Sequence, residues 1–199
     1  LLAEAEKRGI KIIIDLVLNH SSSENPWFLA SQDPNSEYHD WYVWSDTDPQ
    51  VLGPWSQNAW YKNSKNGKYY YAIFWSGMPD LNYDNPDVSA EMMNASKFWL
   101  EEVGVDGFRL DAAQHIYSAH EKPNVLVDEH DKSGAWWLEF RREMQKVKED
   151  VVLLGEVWNK DTIVASYIKN GIQSVFNFDL SNVITKSLQQ GEDLGVAAT

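Results

Sequence analysis

A parallel β/α architecture is what this sequence predicts, and three observations carry the prediction. Short β-branched runs alternate with amphipathic helical stretches, no glycine-rich phosphate loop follows any run, and polar residues gather at the C-terminal ends of the runs. Strand, crossover helix and strand in repetition form a parallel sheet, a pattern shared by doubly wound sheets and (β/α)8 barrels. Without GxGxxG or GxxxxGK after a strand, a nucleotide-binding sheet loses its main support. In a barrel the working residues sit at the C-terminal strand ends, which is where the polar residues lie here.

The first residues, LLAEAEKRGI, show neither Met nor a signal-peptide pattern. They read as the last turns of a helix stopped by Gly9. IKIIIDLVLNH (10–20) is nearly continuous and β-branched, the mark of a strand buried on both faces. Residues 21–77 lose periodicity and mix turn formers with aromatics, which fits a small inserted subdomain better than a bare loop. Within it NSKNGKYYYAIFW predicts a hairpin turning at Asn66-Gly67.

A helix follows over 87–103, with Val88, Met92, Ala95, Phe98, Trp99 and Val103 as its apolar positions and Gly104 as its stop. VDGFRLDA is the second strand, GAWWLEFRREMQKVKED a helix, and VVLLGEVW (151–158) the third strand. DTIVASYIKN is a short helix, SVFNFDL (174–180) the fourth strand, and another helix begins behind a Ser181 cap. GEDLGVAAT carries no final element, so the chain reads as a piece of a longer protein.

Composition narrows the function. A formal charge of −13 argues against a nucleic-acid partner, which needs a basic stripe. No apolar run approaches the length of a membrane span. With no cysteine there is no disulfide, thiolate metal site or cysteine nucleophile. The 10 Trp and 9 Tyr suit a ligand that shows both C–H faces and hydroxyls, although they would equally fill a core.

Residues of equal parity share a strand face. Asp15, Val17 and Asn19 share one, with His20 at the end; Val105, Gly107, Arg109 and Asp111 share another; Leu154 and Glu156 a third. If these faces point inward, three carboxylates converge. Glycoside hydrolysis uses such a pair, one acid ionised to attack the anomeric carbon and one protonated for the departing oxygen. Arg109 beside Asp111 is expected to keep Asp111 charged, and Glu156, between Gly155 and Val157-Trp158, to keep its proton. Structural salt bridging of Arg109 and Asp111, and a helix-capping Glu156, would explain the same residues without catalysis.

DLVLNH (15–20), MPDLN (78–82), GFRLDAAQHI (107–116) and GEVW (155–158) resemble, in order and spacing, four short regions that mark the α-amylase family of glycoside hydrolases. SVFNFDL resembles that family's sixth barrel strand. The resemblance implies a partial TIM-type (β/α)8 barrel. Residues 1–20 would hold the end of helix two and strand three, 21–85 an inserted β-rich domain B, and 86–199 helix three to helix six. It implies Asp111 as nucleophile, Glu156 as general acid/base, and Asp15, His20, Arg109, Gln114 and His115 as substrate-binding residues. A structural Ca²⁺ is implied at Asn19, Asp80 and the backbone carbonyl of His115, an all-oxygen set suited to a hard cation. A third family carboxylate, after the seventh strand, has no counterpart within the 199 residues.

The implied activity is retaining cleavage of α-1,4 bonds in starch-like α-glucans or maltooligosaccharides. An exo-acting α-glucosidase, oligo-1,6-glucosidase or transglycosylase would use the same acids. Gln114 stands where amylases commonly carry Lys, and MPDLN resembles a group between oligo-1,6-glucosidases and neopullulanase-like enzymes. A non-catalytic barrel homologue would be expected to lose the acids, and both are present. Trp41, Tyr42, Trp44, Trp60 and Trp75 are candidates for stacking on sugar rings. Residues 1–199 on their own are expected to be inactive and poorly soluble, because two sheet edges would stand open.

Overall fold

Asn-Pro punctuates this chain twice, and each time it starts a helix. Asn25 accepts from the Trp27 N–H ahead of α2 (Pro26–Ser31), and Asn85 accepts from the Asp87 N–H ahead of α3 (Pro86–Phe98). Each Asn satisfies an orphan N–H while the proline presets φ at the first helical position. These elements belong to a computed structural model that describes residues 1–119 and 127–196. Residues 120–126 and 197–199, within the expected 86–199 barrel segment, lie outside the described residues.

Four parallel strands form the main sheet: β1 (Ile13–Leu16), β5 (Gly107–Leu110), β8 (Val152–Gly155) and β9 (Ser174–Val175), in the order β1-β5-β8-β9. Helices α3, α4 (His130–Val147) and α5 (Asp161–Lys169) lie in the three connections. A doubly wound sheet reverses its strand order at a switch point, whereas a barrel adds each strand beside the last. This sheet follows the second rule, and its core is the layer between strands and helices. Phe108, Leu110 and Leu153 from the strands meet Trp137, Phe140 and Met144 from α4, all almost wholly buried.

Between β1 and α3 the chain builds a second, antiparallel sheet in the order β2-β4-β3, from β2 (Trp44–Ser45), β3 (Trp60–Lys62) and β4 (Tyr69–Tyr71). The hairpin at Asn66-Gly67 is present. Gly67 has φ +77°, a conformation that glycine takes without Cβ strain, and Asn63 closes the loop with Lys68. A small core of Val51, Ala59, Trp60, Tyr71 and Ile73 holds this sheet together. A third pair, β6 (Ser118–Ala119) with β7 (Val127–Asp128), precedes α4.

Four local expectations are corrected. The run 10–20 is not buried on both faces: Ile13 and Val17 are exposed while Leu16 and Leu18 are buried. No strand pairs with the other edge of β1 among the described residues. The helix over 87–103 changes pitch at Trp99–Val103, a π turn that brings Phe98 and Trp99 out to the surface before Gly104 ends it at φ +83°. The fourth strand is only Ser174–Val175, and Phe178 already belongs to α6 (Phe178–Gln190). The cap of α6 is Asn177, which accepts from the Leu180 N–H; Ser181 sits inside the helix.

Candidate active site

Strand register decides what meets at the C-terminal end of the sheet. Asp15 pairs with Arg109 and Arg109 with Leu154; one step on, Leu16, Leu110 and Gly155 align. Asp111 and Glu156 leave their strands at the same level. The Asp111 N–H donates to the Leu16 carbonyl, and the Glu156 N–H donates to that of Leu110. Ala112 then takes φ +48°, a left-handed conformation for a residue with a Cβ, and turns the chain into the short 3-10 helix Ala113–His115. Such a conformation costs of order 1–3 kcal/mol and is held by its surroundings. Here the Ala113 N–H donates to the Glu156 carbonyl, and Trp137 Nε1 donates to the carbonyl of Ala113.

Arg109 joins the three carboxylates. Its Nη1 donates to Asp15 Oδ1 at 2.8 Å and to Asp111 Oδ1, and its Nη2 donates to Glu156 Oε2 at 2.5 Å. The side chains of Arg109, Asp111 and Glu156 are 25%, 21% and 20% exposed, against 59% for Asp15. The Asp15 contact is therefore the most water-screened of the three.

Proton affinities run opposite to the expectation from sequence. Burial pushes the Asp111 carboxyl up, and Arg109 only partly offsets this while the charges of Glu156 and Asp15 add to it. Burial pulls Glu156 the same way. The Trp158 indole, Arg109, the Ala112 N–H and a hydrogen bond with Asp111 together outweigh it and bring Glu156 below its ordinary value. The physical reason is that Arg109 serves both acids rather than Asp111 alone, and the two titrate as a pair.

A cavity of about 710 Å³ opens over these groups, lined by His20, Gln114 and His115 as well as by Arg109, Asp111 and Glu156. Asp15 is joined to it through Arg109 and is not part of its wall. His20 is buried and its pKa is brought down to about 4 by loss of solvent, so its ring is neutral near pH 7. Phe74 stands edge-on to both histidines, at 5.5 Å from His20 and 5.6 Å from His115. Gln114 is 6% exposed and its Oε1 has no hydrogen-bond partner among the described residues.

Of the tryptophans and tyrosine proposed for sugar stacking, only Trp75 lines the cavity. Tyr42 and Trp60 are buried, and Trp44 stacks on Phe28 and Trp41 packs on Trp27. They hold the inserted segment together. Sequence reasoning missed Trp55, Phe74 and Met78 in the wall, and singled out no role for Trp158. Trp158 had one usable signal: it lies two residues beyond Glu156, on the same strand parity.

Asn19 and Asp80 are buried and adjacent. Asn19 Nδ2 donates to Asp80 Oδ2 at 3.0 Å, and Asp80 Oδ1 accepts from the Ile73 N–H at 2.9 Å. The His115 carbonyl accepts from Ser118 Oγ at 3.4 Å. Among the described residues no three His, Asp or Glu side chains cluster as metal ligands. No described helix is long and apolar enough to cross a membrane.

The family model "Alpha amylase, catalytic domain" matches residues 1–198. Alpha-amylase 3 of Dictyoglomus thermophilum is 47% identical over 98% of this chain, which spans 36% of that protein. Trehalose synthase of Pimelobacter sp. is 39% identical over 82% of this chain, which spans 29% of that protein. The crystal structure of an α-amylase from H. orenii superposes with a TM-score of 0.82 at 44% identity, covering 96% of this chain and 37% of that one.

Proposed function

The chain belongs to the α-amylase family of glycoside hydrolases, and from that premise we propose that it carries the catalytic acids of an enzyme cleaving α-1,4-glucosidic bonds with retention. The observation that supports this reading is the convergence of Asp15, Asp111 and Glu156 on Arg109 at the C-terminal end of a parallel sheet, under an aromatic-walled cavity. Starch-like α-glucans and maltooligosaccharides are the proposed substrates.

Asp111 is the proposed nucleophile. Its carboxylate attacks the anomeric carbon as the glycosidic C–O bond breaks, and Glu156 gives its proton to the departing oxygen. In the second step Glu156 takes a proton from water, which attacks the same carbon and releases Asp111. In the free site burial raises the proton affinity of Asp111, while the Trp158, Arg109 and Ala112 donors lower that of Glu156. The reaction needs Asp111 ionised and Glu156 protonated when the sugar is bound. Arg109, bonded to both, stabilises the ionised Asp111. Neutral His20, Gln114 and His115 are proposed to hold sugar hydroxyls, with the unpartnered Gln114 Oε1 as an acceptor.

Asp111→Asn and Glu156→Gln in the full-length protein are each expected to cut turnover by several orders of magnitude. A loss under about tenfold, worth ~1.4 kcal/mol of barrier, would remove the role assignment. A blocked maltoheptaoside set against a small chromogenic glucoside tests the substrate, since an internal cutter hydrolyses the first. The Gln114-His115 pair leans towards α-amylase-like enzymes, and Gln114 in place of Lys weakens that lean. The second reading is an exo-acting glucosidase, oligo-1,6-glucosidase or transglycosylase with the same acids. Cleavage of the small glucoside alone would select it.

Calcium is proposed at Asn19, Asp80 and the His115 carbonyl. A carboxylate, an amide oxygen and a carbonyl have the chemistry of a hard-cation site, with the Asn19 amide turned so that Oδ1 replaces Nδ2 beside Asp80. Bound there, the ion would tie the inserted segment to the end of β1 and to the turn after β5. No step of the reaction is assigned to it.

A further inference from the structure

Trp158 is a large apolar side chain left 59% exposed, yet it is held from two sides. Its ring lies on Phe178, with centroids 3.6 Å and planes 13° apart, and Phe176 packs against Phe178 in turn at 5.6 Å. Phe178 is the first residue of α6, directly behind the Asn177 cap, so the platform is anchored to a helix start. From this position Trp158 Nε1 donates to Glu156 Oε1 at 2.9 Å. The other oxygen, Oε2, accepts from Arg109 Nη2 and, at 3.4 Å, from the Ala112 N–H. Oε1 of Glu156 is thus held by Trp158, two residues on at the same strand end, and Oε2 by Arg109 and Ala112 from the end of β5.

We propose that Trp158 is a positioning residue for the acid/base: braced on Phe178, its indole N–H holds Oε1 of Glu156 and fixes the carboxyl's rotamer. This rests on the reading of Glu156 as general acid/base. A loosely held carboxyl sweeps its proton through an arc, whereas one pinned at one oxygen delivers it along a single line. The same bond favours the ionised form, because an N–H donor stabilises a carboxylate more than a carboxylic acid. The remaining charged or titratable groups facing Glu156 are Arg109 and Asp111 at the end of β5, Asp15 beyond Arg109, and His20 and His115 across the cavity. Substitution at Trp158 alters none of them.

The test is Trp158→Phe in the full-length protein, which keeps a ring on Phe178 and deletes only the donor. Loss of the donor raises the pKa of Glu156, and the general acid must be protonated in the free enzyme. The alkaline limb of the kcat/KM–pH profile should therefore move to higher pH, by about half a unit or more, with kcat down about tenfold and KM nearly unchanged. Phe178→Leu keeps the donor but removes its brace, and should move the limb the same way by less. It decides the matter alone if Trp158→Phe does not fold. An alkaline limb unmoved within about 0.1 unit overturns the proposal, because a merely structural tryptophan would lower stability without shifting that limb. Glu156→Gln, measured alongside, separates the two readings. If it keeps turnover, the acid/base assignment itself fails; if it abolishes turnover while the limb of Trp158→Phe stays put, only the role of Trp158 falls.

Discussion

Arg109 shows what a single residue settles in this site. A planar guanidinium offers donors in a fixed fork, and here one nitrogen serves Asp15 and Asp111 while another serves Glu156. A lysine has one nitrogen on a flexible stem and could not hold all three in place. Arg109→Lys is therefore expected to lower kcat/KM by about a hundredfold, ~2.7 kcal/mol of transition-state stabilisation, while the melting temperature changes little. Near-wild-type turnover in that variant would show that the positive charge alone is enough. The residue types of the site were legible in the sequence, because parity puts Arg109 and Asp111 on one face. Their proton affinities were not, since those depend on which neighbours one guanidinium reaches.

At the scale of elements, Asp106 does at the N-terminal end of the sheet what Arg109 does at the other. Its carboxyl accepts from the Ile12 N–H at 2.9 Å and from Lys11 and Lys148 at 3.0 and 3.1 Å. Its own backbone links Ile12 to Val152. The lower ends of β1, β5 and β8 are thereby tied through one residue. Burial alone would push this carboxyl up, but the Ile12 N–H and the two lysines outweigh it and hold it at about 2. A pKa lowered on folding contributes stability that is complete above the ordinary value of 3.8 and is lost as pH falls through about 2. Asp106→Asn should thus cost about 2 kcal/mol at pH 7, with the difference from wild type closing between pH 4 and pH 2. Melting temperatures of the two full-length proteins across that range check it, and a pH-independent gap would refute it. The adjoining Gly107 is required by packing, because a Cβ there would lie 2.1 Å from the Val152 carbonyl oxygen. Strand and helix positions were mostly legible from periodicity. The end of β9 was not, because the apolar run SVFNFDL carries no period of its own and the Asn177 cap decides where the helix starts.

For the molecule as a whole, the question is what joins the inserted segment to the parallel sheet. A backbone bond crosses from Leu81 to the Asn19 carbonyl, and beside it Ser21 donates to Pro79 and Asn82 to Trp41 within the segment. Tyr83 Oη reaches the Leu18 carbonyl, and the buried Asn19–Asp80 pair sits among them. An ion at that pair would bind the folded state and not the unfolded chain, so its removal should lower stability. Chelation of the full-length protein with EDTA is expected to lower its melting temperature, and added Ca²⁺ to restore it. A melting curve indifferent to both would show that the Asn19–Asp80 hydrogen bond closes this junction by itself. The aromatic wall of the cavity belongs to the same scale, since Trp55, Phe74 and Trp75 from the inserted segment meet Trp158 from the third parallel strand's end only because the junction holds.

By itself the sequence determined the β–α alternation, the hairpin, the family and the placement of a carboxylate on each of three strands, two of them at strand ends. Each of these follows from local geometry, in which side-chain parity, turn chemistry and motif spacing act over a few residues. Tertiary structure alone decided which tryptophans face the cavity and which are core, that Arg109 spans all three acids, and that Asp111 is shifted up while Glu156 is shifted down. These are matters of distance between segments up to 94 positions apart, as with Arg109 and Asp15. Burial and Coulombic interaction depend on separation in space, and no periodicity along a chain encodes it.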